Sequence, residues 1–237
     1  MTSRREDLQH RLGAVQQAIE AACSEVGRDP ASVHLIAVSK TWPVADIEVL
    51  YEAGVRAFGE NRVEELAAKA EAMAGSDVCW HYLGQIQSKK AAAIGAVASV
   101  VHSLDRDKVL RGLSHGARDA RHEVDVLIQV SLADLAGADE AAGRGGAPPQ
   151  DVAAIAAVVA GTPWLRLGGV MTLPPRSVEP AIAFARLATI SAQLRQQYPG
   201  ATWVSAGMSH DFPAAIAAGA THVRVGSALF GERSALR

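Results

Sequence analysis

Apolar positions recur at three- and four-residue intervals at the start of the chain, at Leu8, Leu12, Val15, Ile19 and Val26. Ser3 and Glu6 precede them in the spacing of a capping box. This predicts an amphipathic first helix that closes near Gly27. The pattern then changes to short apolar runs: VHLIAVS, VRAFGE, VCWHYLG, ASVVHSL, VDVLIQV, WLRLGGVM, ATWVSAG and THVRVG. Between them lie helix-period segments from Pro43 to Gly54, Val63 to Gly75, Ser88 to Gly95, Asp105 to Gly116 and Pro149 to Gly161, a long one through Leu194, and a last one from Asp211 to Gly219. Pro near the start and Gly past the end is the asymmetry expected of helix termini.

Strands alternating with helices predict a parallel sheet, and eight such runs favour closure into a (β/α)8 barrel over an open doubly wound sheet. The expected class is α/β: a single TIM-type barrel domain over 1–237, with an extra N-terminal helix over 1–28 packed on it. The 237 residues are close to the ~250 typical of one such barrel. The segment from Asp134 to Pro149, rich in Gly, Ala and Pro, reads either as a mobile loop over the barrel mouth or as a plain surface connection.

Composition narrows the partners. A net charge of −2 gives no broad basic field for a nucleic acid backbone. Cys23 and Cys79 have neither C-x-x-C nor Cys/His spacing, so no metal site and no disulfide framework is expected. The polar N-terminus lacks the apolar stretch of a signal peptide, and no run reaches the ~18 residues of a membrane span. A soluble, cytoplasmic protein with a small-molecule ligand is expected, and the outer helix faces suggest a monomer.

The active face of such a barrel lies at the C-terminal strand ends. Lys40 ends the first strand in the parity of Ile36 and Val38, so it reaches the mouth if those two face the barrel interior. An amine on an apolar wall is partly desolvated, which favours the neutral form that attacks an aldehyde. Lys69 and Lys108 fall in helices and are expected to be solvated. After the seventh and eighth strands come AGMSHDFP, in which Gly207 allows tight backbone approach and Ser209 or Asp211 begins a helix, and VRVGSALFG, in which Gly226 and Ser227 open another. Loops at this location commonly hold phosphate. Arg224 shares a strand face with His222, opposite Val223 and Val225, and should face the mouth unless it is consumed in an ion pair. A lysine on one side and an anion cradle on the other suit an aldehyde that carries a phosphate.

The runs LIAVSKTWP, FGENRVEEL, WHYLGQIQSKK, LIQVSL, GVMTLPP and GMSHDFPAAIAAGATHVRVGSALFG resemble those of the pyridoxal phosphate homeostasis protein family, from about Val33 to Gly231. That family's fold is similar to the barrel domain of alanine racemase. The resemblance implies pyridoxal 5′-phosphate (PLP) as cofactor, a Schiff base on Lys40, and Asn61 beside the pyridine ring. It further implies a phosphate held by Ser209, the Gly226 backbone and Ser227, with Arg224 facing the ring nitrogen. A permanently charged guanidinium keeps that nitrogen unprotonated and the cofactor a weak electron sink. The family pattern is broken at Lys89, where Asn is usual and only the following Lys90 matches, and at Ser131 and Arg144, where Asn and Lys are usual.

Three functions follow. The first is a PLP-binding protein of intracellular vitamin B6 homeostasis without robust turnover, with amino acids and PLP-requiring apoenzymes as further partners. The second is a PLP-dependent amino-acid racemase, for which a tyrosine base and a second domain are wanting: the chain ends six residues after Gly231, Tyr51 and Tyr198 lie on helices and Tyr82 lies in a strand. A class I aldolase using Lys40 directly would leave Arg224 and Asn61 without a role.

Overall fold

The computed structural model describes residues 3–136 and 145–232. Every predicted strand forms: β1 (His34–Val38), β2 (Ala57–Glu60), β3 (Cys79–Tyr82), β4 (Val100–Leu104), β5 (Val124–Gln129), β6 (Leu165–Met171), β7 (Trp203–Ser205) and β8 (His222–Val225). Neighbours in sequence pair in parallel, and β8 closes on β1 from His34 opposite His222 to Ala37 opposite Val225. The fold is a closed (β/α)8 barrel.

Two-residue alternation along the strands makes two apolar layers. Ala37, Phe58, Val101, Val126, Val170, Val223 and Val225 face outward and join the helices in the main core. Val100, Leu127 and Met171, with Cys79 and Trp203, form a smaller cluster inside the barrel. The helices are α1 (Arg4–Glu25), α2 (Val44–Glu52), α3 (Val63–Ala72), α4 (Ala91–Val97), α5 (Leu110–Ala120), α6 (Val152–Ala160), α7 (Pro180–Gln197), α8 (Phe212–Ala217) and α9 (Ser227–Phe230).

The capping box is present, with Ser3 Oγ accepting from Glu6 N–H and the Glu6 carboxylate accepting from Ser3 N–H. α1 lays Leu8, Leu12, Val15, Ile19 and Cys23 on the barrel exterior against α2, α8 and α9. Arg4 ties it down through Asp46 on α2, at 2.6 Å, and the Phe230 carbonyl of α9, at 3.0 Å.

Two helix ends differ from expectation, and the first is α4, which runs past Gly95 to Val97. Gly116 does not stop α5, which continues to Ala120 and ends with Arg121 in the left-handed region at φ 58°. Gly116 instead lets α5 touch α4: a Cβ there would sit 1.9 Å from the Ala92 carbonyl oxygen. In the connection after β5, Ala147 bridges to Val130 in parallel and the Gln129 side-chain amide donates to the Gly145 carbonyl. The middle of that connection, including Arg144, lies outside the described residues. Among the described residues no cluster of His, Cys, Asp or Glu suits a metal ion, and no helix is long and apolar enough to cross a membrane.

Candidate functional site

The peptide around Lys40 is held from both sides. Ser39 N–H donates to the Gly59 carbonyl on β2, and Ser39 Oγ donates to Glu60 Oε1 at 2.7 Å. Lys69 Nζ, on α3, donates to the Ser39 carbonyl at 2.9 Å and to Glu60 Oε1 at 2.6 Å. On the other side Thr41 N–H donates to Glu65 Oε2 at 2.8 Å, while Thr41 sits at φ 69°, costly for a β-branched residue. Lys40 is thus presented by a strained turn that an ion-pair network fixes.

Lys69 is therefore not solvated. It is 6% exposed and pairs with a wholly buried Glu60 whose Oε2 has no hydrogen-bond partner. Burial pushes the Glu60 carboxyl above its usual range, opposed by the hydrogen bonds from Lys69 and Ser39.

At the far end of the chain, Arg224 is 4% exposed. Its guanidinium donates to Ser205 Oγ at 2.7 Å and to the Thr172 carbonyl at 2.8 Å, and no carboxylate within 4.0 Å pairs with it among the described residues. Burial lowers its pKa to about 10, with Asp211 raising it through space. At neutral pH it stays charged, and the ion pair considered from sequence does not form.

The turns after β7 and β8 meet. Ser227 Oγ donates to Ser209 Oγ at 3.1 Å, and Ala228 N–H approaches the same oxygen at 3.4 Å. Gly207 makes this approach feasible: its φ is 88°, and a Cβ would lie 2.7 Å from Phe212 Cα. Gly84 does the same for Asn61, since a Cβ there would fall 2.0 Å from the Asn61 carbonyl oxygen.

All six residues singled out from sequence, Lys40, Asn61, Ser209, Arg224, Gly226 and Ser227, line one cavity of about 300 Å³ at the C-terminal strand ends. This is at the small end of the range for small-molecule sites, roughly 300–1,000 Å³. Its apolar wall is Val38, Leu83, Met171, Leu173 and Met208. Sequence reasoning did not name the last four; Leu83 and Met171 were legible as ends of strands, whereas Leu173 and Met208 lie in loops without a period. Ser205 and Thr172, which hold Arg224, were also missed.

Comparison with known proteins bears out the fold. Residues 10–234 match the family model for the alanine racemase N-terminal domain. The pyridoxal phosphate homeostasis protein of Pseudomonas aeruginosa is 38% identical over 94% of this chain and 94% of its own. The chain belongs to the pyridoxal phosphate homeostasis protein family. A solved structure of PipY from Synechococcus elongatus, with PLP bound, is 33% identical, covers 94% of this chain and 100% of its own, and superposes with a TM-score of 0.80. Alanine racemase from Corynebacterium glutamicum, at 18% identity and a TM-score of 0.64 over 98% of this chain and 64% of its own, shares the fold. Within the homeostasis protein family, this chain carries Lys89 and Lys90 at the start of α4, with Lys90 paired to Glu64 at 2.6 Å.

Proposed function

We propose that this protein binds PLP as a Schiff base on Lys40 and serves intracellular vitamin B6 homeostasis without robust turnover. The observation that carries the reading is the convergence of Lys40, from β1, with Arg224, Ser209 and Ser227, from the end of the chain, on one cavity. The residues fit the group. The amine would take the aldehyde, and the paired hydroxyls beside the first turn of α9 would take the phosphate. The buried cation without a carboxylate would face the ring nitrogen. The PLP found in PipY supports the same assignment.

PLP supplies a carbonyl for exchange with amines and an electron sink, and this chain's contribution moderates the sink. Arg224 cannot yield a proton to the ring nitrogen at neutral pH. Asn61, at the rim, would orient the ring.

A racemase-like enzyme is the second reading, because the barrel is shared with alanine racemase. It needs a second base. Among the described residues that line the cavity none is a tyrosine, and the Tyr82 hydroxyl is turned to the Gln85 carbonyl at 3.4 Å. The homeostasis reading includes a cytoplasmic monomer, with amino acids and PLP-requiring apoenzymes as partners for exchange.

The test is direct. The purified protein incubated with PLP should turn yellow, lose the colour on borohydride reduction, and gain a pyridoxyl mass on Lys40. A protein that stays colourless would overturn the reading. Rapid appearance of D-isomers from L-amino acids would favour the racemase.

A further inference from the structure

Arg224 is buried with no carboxylate paired to it among the described residues, and one of the groups that solvate it, Ser205, begins a chain through the barrel interior. Arg224 Nη1 donates to Ser205 Oγ at 2.7 Å. Ser205 Oγ is 2.9 Å from His102 Nδ1, and His102 Nε2 is 2.8 Å from His81 Nδ1. All four side chains are buried.

Proton counting sets the direction of this chain. Both rings are neutral: burial lowers His81 to about 3, and burial with the neighbouring His81, Arg224 and His222 holds His102 well below the usual histidine value. A neutral imidazole has one N–H, and a hydroxyl has one proton. Ser205 Oγ accepts from Arg224, and among the described residues His102 Nδ1 is the acceptor within reach of the hydroxyl proton. His102 therefore carries its proton on Nε2 and donates it to His81 Nδ1. Every acceptor along the chain faces Arg224, so the aligned dipoles stabilise the guanidinium and strengthen one another. A carboxylate in this place would also stabilise the cation, but it would cancel its field in the cavity.

We propose that His102 and His81, acting through Ser205, are positioning residues that hold Arg224 at the cavity as a cation with no bound counter-charge, and so set the electronic state of the cofactor ring. The proposal rests on the PLP reading above. It assigns the polar barrel interior a task that the apolar residues usual at such positions could not perform.

The experiment compares His102→Leu, Ser205→Ala and His102→Asn with the intact protein and with Arg224→Gln. His102→Leu and Ser205→Ala should weaken PLP binding about tenfold or more. They should also move the visible band of the lysine-bound cofactor, and its pH midpoint, in the direction that Arg224→Gln moves them. His102→Asn retains an acceptor for Ser205 and should recover part of both. Folded variants with unchanged affinity and band would overturn the proposal; if His102→Leu does not fold, Ser205→Ala, which removes one hydroxyl, decides alone. In the ligand-free protein, 15N NMR should find both ring protons on Nε2 and a His102 Nδ1 signal that moves in Ser205→Ala. Protons on Nδ1 would overturn the chain whether or not PLP binds. Failure of the intact protein to load Lys40 would instead sink the proposed function, and the chain would then stand or fall by these ring signals.

Discussion

Lys69 donates a hydrogen bond to the carbonyl of Ser39 from 2.9 Å, so a buried cation on α3 grips the peptide immediately before Lys40. The same ammonium contacts Glu60, the residue immediately before Asn61. Two residues at the cavity rim are thereby tied to one buried ion pair.

Lys69→Met should leave Glu60 buried without its cation, a loss of about 3–5 kcal/mol in urea unfolding. The folded-state pKa of Glu60 is raised above 4.5. Stability from this group is therefore fully present below about 4.5 and is lost as pH rises through the folded value. Relative to Glu60→Gln, the intact protein should lose stability as pH rises through that window. A flat difference would mean that Glu60 ionises freely.

The interior histidines act in the opposite sense. His81 and His222 are lowered to about 3, and His102 well below its usual 6.5, each chiefly by burial. The unfolded chain takes up protons that the fold refuses, so stability present above about pH 6.5 is lost as pH falls toward 3. Each such group contributes about 1.4 kcal/mol per pH unit within the window. His222→Gln should lower the slope of unfolding free energy against pH by up to about 1.4 kcal/mol per pH unit, read from urea midpoints between pH 4 and 6.

Gly84→Ala should disturb the Asn61 backbone, since its new Cβ would fall 2.0 Å from that carbonyl oxygen. A loss of about 1–3 kcal/mol in stability, with weaker PLP uptake, is expected. Gly200→Ala meets nothing within 4 Å and should stay within about 0.5 kcal/mol of the parent.

Lys40→Ala should abolish borohydride-trapped label while thermal unfolding changes little. Lys40 is half-buried at the mouth, outside the packed core. Global unfolding of this variant would make the lysine structural.

Period and parity carried far in this chain. β1 to β8 were legible because outward-facing Val223 and Val225 alternate with His222 and Arg224, and similar alternation marks the other runs. The capping box of α1 was legible because its bonds are local. Lys69 was misread for the opposite reason. A lysine on a helix is solvated by default, and nothing local to α3 announces that Glu60 waits nine residues away in a strand.

The sequence by itself determined the alternation of strands and helices, the tight approach at Gly207, and a lysine and an arginine at strand ends, since each follows from local periodicity or local sterics. Closure of the barrel decided the rest. It brought Arg224 to the cavity of Lys40, left it unpaired with any carboxylate among the described residues, and stacked Ser205, His102 and His81 behind it. Those contacts join strands distant in sequence, and their energies depend on burial, which only the closed barrel supplies.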